Sequence, residues 1–455
     1  MPVTDSMFLL IESREHPMHV GGLQLFRKPE GAGDDYVAQL YRDLIDKSEV
    51  RPLFRQRPAG PVNSLGQLAW TEDTELDLSY HVRRSALPTP GRVRELLEIT
   101  SRWHGTLLDR HRPLWETHFI EGLNDGRFAI YTKIHHAMLD GVSALRHMQL
   151  SLTPDPDARD CEMWWSLKPP KRSKPPQQRS LLDRVRGIAG ELAGLGPATL
   201  KTVNEIRREQ SITLPLQAPR TMFNVSIGGA RRVAAQSWPI EAFRQIGKAA
   251  GCTINDVVLT VCAGALRDYL IEHRALPDQS LTAMVPVSLR ASEGAERGGN
   301  AIGALLCRLG TDVADPAKRL EVVSHSMREG KRLFSELTPL QVLLLSAVNV
   351  APLGLSPIPG IADHTKPPFN LVISNMPGPR QKMYFNGAQL DGIYPASICL
   401  DGQAVNITMT SYDDQIGFGI VGCRRSVPHL QRMLLHLDTA LEELTAAVLC
   451  AAAVL

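Results

Sequence analysis

The chain has 455 residues, 43% hydrophobic and 22% charged, which supports real cores and exceeds one ordinary domain, so two domains of roughly 200 residues are expected. A formal net charge of +2 excludes the strongly basic profile of a nucleic-acid binder, and no nucleic-acid partner is expected. Seven cysteines without a CxxC pair exclude a disulfide framework or zinc ribbon, and Met1 to Ser6 lacks the basic and apolar regions of a signal peptide, so a cytoplasmic protein with reduced thiols is expected.

Residues 5–12 read as a short helix with Met7, Phe8, Leu10 and Ile11 apolar, and after His16-Pro17 the run 20–26 reads as a strand. Val37, Leu40, Tyr41 and Leu44 share one stripe of a helix over 35–46. Leu96, Leu97 and Ile99 face inward from another over 94–103. Segments 117–121 and 127–133 bracket Asn124-Asp125-Gly126, a hairpin signal because Asp-Gly tolerates the positive φ of a tight turn. The second of these strands leads into Ile134-His135-His136-Ala137-Met138-Leu139-Asp140-Gly141, with Asp140 at the N-cap of a helix over 142–150.

The texture then changes. Pro169 to Gln178 is proline-rich and basic, incompatible with regular structure, and a helical pattern carrying Arg184, Arg186 and Lys201 follows. Residues 161–216 are therefore expected to be a linker between an N-terminal domain over 1–160 and a C-terminal one over 217–455. Its charge suits a solvated tether, or else a surface for anionic lipid or nucleotide phosphate.

In the second half a strand is expected over 231–236, followed by a helix with Pro239 at N1 and Gly251 past its end. Thr253-Ile254-Asn255-Asp256 has the form of a capping box ahead of an apolar helix over 257–269. Residues 281–289 and 370–374 read as buried strands, and 404–412 with 416–422 as a hairpin. Leu340 to Leu355 is interrupted by Gln341, Ser346, Asn349 and Pro352, and Leu444 to Leu455 is about half a span. Neither is expected to cross a bilayer; either could lie on a lipid surface. Alternating strands and helices throughout imply an α/β fold.

Two adjacent histidines at the end of a strand, with an aspartate and a glycine behind, suit a general base. A neutral imidazole accepts a hydroxyl proton near neutral pH. Asp140 either caps the helix or forms an ion pair, with Arg290 as one possible partner, and Gly141 permits an unusual backbone or close approach by a substrate. Three readings fit the motif alone: a base, a metal pair from His136 and Asp140, or two loop histidines with structural partners. No third ligand follows at metal spacing, so no metal is expected. Gly-x-Ser-x-Gly, a Walker loop and a dinucleotide fingerprint are absent, which leaves direct attack by a hydroxyl that His136 activates.

His135-His136-Ala137-Met138-Leu139-Asp140-Gly141 resembles the HHxxxDG motif of CoA-dependent acyltransferases, including chloramphenicol acetyltransferase and peptide-synthetase condensation domains. Pro17-Met18-His19-Val20-Gly21, Arg112-Pro113-Leu114-Trp115-Glu116, Asn255-Asp256-Val257-Val258-Leu259 and Ser374-Asn375-Met376-Pro377-Gly378-Pro379 resemble, in order and spacing, motifs of bacterial wax ester synthase/diacylglycerol acyltransferases. The resemblance implies an α/β fold of two chloramphenicol-acetyltransferase-like domains with the active site at their interface. It further implies acyl-CoA as a substrate, a fatty alcohol or diacylglycerol as acceptor, no cofactor, and peripheral contact with the inner membrane or lipid inclusions. His136 would be the base and His135 a scaffold residue. Asn255, or Ser374 or Asn375, would face the oxyanion. Pro113, Leu114 and Trp115 read as core packing, which the resemblance places near an acyl tunnel, and the Ser374-Asn375 segment would shape the substrate cleft. A condensation-type enzyme fed by a carrier protein and an inert lipid-droplet binding protein are the alternatives.

Overall fold

The periodicities translate into elements in the computed structural model, which describes residues 3–47, 49–59, 69–167, 216–288, 302–350 and 365–450. The first part of the chain forms α1 (Val3–Ile11), β1 (His19–Arg27), α2 (Tyr36–Lys47), β2 (Gln56–Pro58), β3 (Trp70–Glu72) and α3 (Leu78–His81). It continues with β4 (Val82–Ala86), α4 (Val93–His104), β5 (Trp115–Glu121), β6 (Phe128–His135) and α5 (Gly141–Leu150). Next come β7 (Arg231–Pro239), α6 (Ile240–Ala250), α7 (Ile254–Glu272), β8 (Thr282–Ser288), β9 (Ile302–Arg308), α8 (Pro316–Glu336) and α9 (Pro339–Val350). The last are β10 (Leu371–Met376), β11 (Tyr384–Phe385), β12 (Ala388–Ala396), β13 (Val405–Tyr412), β14 (Gln415–Cys423) and α10 (Arg432–Thr445).

Two compact units result. The first gathers Met1–Lys168, Met222–Gln245 and Ser374–Leu435, and the second Pro169–Thr221, Ile246–Ile373 and His436–Leu455. These units do not follow the consecutive division at 160 and 217. The reason is strand pairing: β12 runs antiparallel beside β1, with Leu23 opposite Tyr394, so a late segment completes the first unit's sheet.

That sheet has the order β11-β12-β1-β6-β5-β4. The expected hairpin is β5 and β6, joined through Asn124-Asp125-Gly126 with Gly126 at φ 81°. β1 is buried along all but its last residue, which explains its nearly continuous apolar sequence. The core on one side is aromatic: Trp115, Trp164, Trp165, Phe54, Phe119 and Phe128 are fully buried. Trp164 and Trp165 lie in the stretch read as linker. Met163, Trp164 and Trp165 instead belong to this core, because two indoles outweigh the polar sequence around them; Trp165 stacks on Trp115 with centroids 5.3 Å apart. The remaining linker, 168–215, lies outside the described residues, as does Arg290.

A second antiparallel set, β7-β14-β13, also belongs to the first unit, and the 405–412/415–423 hairpin turns at Asp413 with φ 51°. Pro239 closes β7 rather than opening the next helix, which starts at Ile240. Ile99 is half-buried, while Thr100 and Ser101 face the core, because the Ser101 hydroxyl accepts the Val233 N–H at 2.8 Å.

In the second unit, β8 pairs antiparallel with β9, and the start of β10 runs parallel to β8. α7 begins with the expected capping box: Thr253 accepts from Asp256 N–H, and Asp256 from Thr253 N–H. Residues 256–266 of α7 are all buried, so its weak amphipathicity marks a core helix. No single described helix is long and apolar enough to cross a membrane; the bent pair α6 and α7 passes by length and composition.

Candidate active site

Three of the sequence motifs become three neighbouring strands. His135 ends β6, with His19 of β1 opposite it on one side and Leu114, just before β5, on the other. The His135 N–H donates to the Leu114 carbonyl at 2.9 Å, and the His136 N–H to the Met18 carbonyl at 2.8 Å. The chain then turns tightly: the Met138 N–H donates to the His135 carbonyl at 2.9 Å. Asp140 accepts the Ser143 N–H at 2.7 Å as N-cap of α5. Of the two roles considered for Asp140, capping is the one observed, and no ion pair involves it among the described residues. Strand and helix thus clamp a turn of four residues, with His136 at its start.

The two rings have different surroundings. His135 is fully buried; its Nδ1 accepts the Ala137 N–H at 3.0 Å, so the ring proton sits on Nε2. That nitrogen faces Glu12 Oε1 at 3.2 Å, a contact short in distance though off the ideal hydrogen-bond angle. Glu12 also accepts the Met18 N–H at 3.2 Å and pairs with Arg110 at 2.9 Å. Burial pushes the Glu12 carboxyl up, but His135, Met18 and Arg110 together hold it below the usual carboxylate range. His135 is therefore pinned on both nitrogens.

His136 is half-buried and carries no such clamp. Phe8 of α1 stacks on it with centroids 4.1 Å apart and planes at 29°. Its Nδ1 is buried without a hydrogen-bond partner among the described residues. Burial pushes the His136 imidazole down to about 4; Asp140 opposes this and His135 adds to it. At pH 7 the ring is neutral, the form in which imidazole accepts a proton.

Gly141 opens α5 with no positive φ, and a Cβ there would meet only Val20 Cγ1 at 3.9 Å. Neither backbone conformation nor packing calls for glycine. Gly141→Ala is expected to leave the melting temperature unchanged while lowering kcat/KM at least about tenfold if substrate passes over this residue; thermal melting and initial rates check the pair.

The other motif residues fall out as follows. Pro113, Leu114 and Trp115 are buried, the last two completely, and Trp115 donates Nε1–H to the Phe54 carbonyl at 2.8 Å. They offer no surface to a ligand here and act from behind the site, Leu114 through its carbonyl on His135. Ser374 is half-buried and Asn375 exposed near the end of β10. The following turn is close to β13: a Cβ on Gly378 would lie 1.9 Å from the Ser411 carbonyl oxygen. Asn255 lies in the second unit, in the first turn of α7, two residues after the N-cap. Among the described residues no group of three or more His, Cys, Asp or Glu could hold a metal ion.

Sequence reasoning missed α1 as part of the site. Phe8 and Glu12 contact His136 and His135, yet the available signal was only a carboxylate closing an otherwise apolar helix. It also missed a buried network behind β6. His104 Nδ1 accepts from the Tyr131 hydroxyl at 2.8 Å and its Nε2 donates to the Ser397 carbonyl at 3.1 Å, while His19 Nε2 donates to the His104 carbonyl at 2.8 Å. Beside it Lys133, 1% exposed, donates to the carbonyls of Trp103 and Thr106 at 3.1 and 2.9 Å, with Glu116 3.5 Å away.

Glu12 holds the His135 ring at the start of the turn that carries His136. Glu12→Gln keeps an acceptor for Nε2–H and is expected to lower kcat about tenfold with KM nearly unchanged, and Glu12→Ala to lower it further. Steady-state kinetics of the two variants check this; equal losses would point to folding alone.

The profile of the wax ester synthase/diacylglycerol acyltransferase catalytic domain matches residues 1–258, and that of the family's C-terminal domain residues 298–445. A Mycobacterium tuberculosis protein named a probable diacylglycerol O-acyltransferase is 55% identical over 98% of this chain and 99% of its own length. The O-acyltransferase WSD of Acinetobacter baylyi is 43% identical, over 96% and 95%. Among solved structures, the wax ester synthase/diacylglycerol acyltransferase of Marinobacter aquaeolei is 44% identical, covers 98% of both chains and has a TM-score of 0.77. The first condensation domain of the CDA synthetase shares the fold alone, at 17% identity and a TM-score of 0.57.

Proposed function

The chain belongs to the wax ester synthase/diacylglycerol acyltransferase family and is an acyltransferase; from that premise we propose that His136 is the general base of acyl transfer from acyl-CoA to the hydroxyl of a fatty alcohol or diacylglycerol. The observation that carries the reading is the neutral His136 ring, free of any hydrogen-bonded clamp, at the end of a strand whose neighbours fix its backbone on both sides. As the acceptor oxygen attacks the thioester carbonyl, its proton passes to His136. The tetrahedral intermediate then collapses, the C–S bond breaks, and His136 returns the proton to the CoA thiolate. Asp140 favours the protonated ring while it carries the charge.

The intermediate's oxyanion needs aimed donors, for which Asn255, in the first turn of α7, and Ser374 or Asn375 are the candidates. No cofactor enters this scheme, since acyl-CoA is consumed as a substrate. Acceptors of this kind partition into lipid, so the enzyme would work in peripheral contact with a membrane or lipid inclusion.

The test is direct. Purified protein is mixed with palmitoyl-CoA and either hexadecanol or dioleoylglycerol, and free thiol is followed. Acceptor-dependent thiol release is the expected result. Release no higher than that of a His136→Ala control with every acceptor would overturn the reading.

A further inference from the structure

The α1 helix and Glu12 just beyond it touch the two histidines, and the outer side of α1 is exposed among the described residues. Phe8 and Glu12 of the α1 segment reach the two rings, whereas Met7 and Leu10 are 46% and 58% exposed. Residues three apart are neighbours on a helix surface, so these two form one apolar ridge. The loop after α4 extends it. Leu107 is 38% exposed, its neighbour Leu108 packs with Leu9, and Arg110 donates to the Leu9 carbonyl at 2.7 Å. Leu53, also 38% exposed, helps line a cavity of about 150 Å³ whose wall includes Ala137 and Met138 of the catalytic turn. Exposed aliphatic side chains thus sit on the segments whose inner residues pack against Ala137 and Met138. Arg14 follows α1 and packs on Gly229, which itself neighbours Gly105, and Arg102 lies in the last turn of α4 just before Gly105; both are exposed and without an ion-pair partner among the described residues.

We infer that the outer ridge of α1 and the Leu107 loop form a docking face for an anionic phospholipid surface, placed so that a lipid acceptor reaches His136 directly from that surface. The inference rests on the proposed acyl transfer to lipid acceptors. Apolar side chains regain their hydration cost when buried at the headgroup boundary, and flanking arginines reach phosphates while their stems stay apolar. A helix with its side chains is about 10 Å across, so the base lies within roughly one helix diameter of the lipid. A second copy of this chain fits the same face less well, because two arginine rims would oppose each other.

The experiment uses the full chain, vesicles of phosphatidylcholine and phosphatidylglycerol carrying dioleoylglycerol, and, separately, dissolved hexanol as acceptor. Wild type is expected to sediment with the vesicles. Met7→Ser/Leu10→Ser is expected to bind at least about tenfold more weakly and to lose turnover on vesicle-borne acceptor in proportion. Thiol release with hexanol should stay within about twofold of wild type. Undiminished vesicle binding by the variant, equal loss of turnover on hexanol, or a face that proves to hold two copies together in solution would each overturn the inference. If wild type binds, the variant does not, and neither releases thiol with any acceptor, the docking face stands and the acyl-transfer reading falls.

Discussion

A His136→Ala enzyme is expected to lose about 10²–10⁴-fold in kcat while melting near the wild-type temperature. The kinetic part follows from the proton inventory. The attacking hydroxyl must shed a proton as the C–O bond forms, and His136 is the only imidazole in the turn with a nitrogen not already committed. His135 is tied by Ala137 and Glu12 on its two nitrogens. The stability part follows from packing. Alanine removes a stacking contact with Phe8 and no hydrogen bond to another residue among those described. Thiol-release rates and a thermal melt of the same sample check both; retention of more than about a tenth of wild-type turnover would remove His136 as the base. The pH profile adds a second check. Burial favours the neutral ring, which is the active form, so the proton binds only as pH falls toward about 4. The acid limb of kcat/KM for the free enzyme is therefore expected near pH 4 rather than at the usual histidine value of about 6.5.

The second large effect is acid lability of the first unit. Burial pushes His104 down to about 4 and His19 well below its ordinary value, and it lowers His81 and His118 as well. In the unfolded chain these rings bind protons from about pH 6.5 downward, while in the folded chain they stay neutral. Each therefore contributes stability that is complete above about pH 6.5 and lost as pH falls through its lowered folded value, which for His104 is about 4. For His104, 3% exposed, that loss is on the order of 3 kcal/mol by pH 4. Glu12 and Glu116, both held below their ordinary range, add losses of the same sign. Thermal melts between about pH 7.5 and 4.5 should fall steeply, and His104→Gln should flatten the slope by about one proton. A melting temperature level across that interval would show that the histidines protonate without penalty. Rapid pH jumps separate this unfolding from the acid limb of catalysis.

Much of the architecture is readable along the chain because local physics sets it. The Asp125-Gly126 turn, the Asp140 N-cap and the Thr253–Asp256 capping box each depend on residues within a few positions of one another, and all three form as read. The HHxxxDG segment narrows its chemistry to three readings, a base, a metal pair or two structurally partnered histidines, since an imidazole between a strand and a capped helix has a small set of uses. Distance along the chain defeats the rest. Nothing near Trp164 and Trp165 reveals that they complete the core around Trp115, and nothing near β12 reveals that it will lie against β1.

The amino-acid sequence by itself determined the family and the class of reaction, because those depend on short motifs whose order is preserved. Only the tertiary structure decided what each of the two histidine rings meets. It brings Glu12 and Ala137 N–H onto His135 and leaves Phe8 alone against His136. The physical reason is that a histidine's role is set by what its two nitrogens meet. Here one of those partners, Glu12, follows a helix more than a hundred residues earlier in the chain.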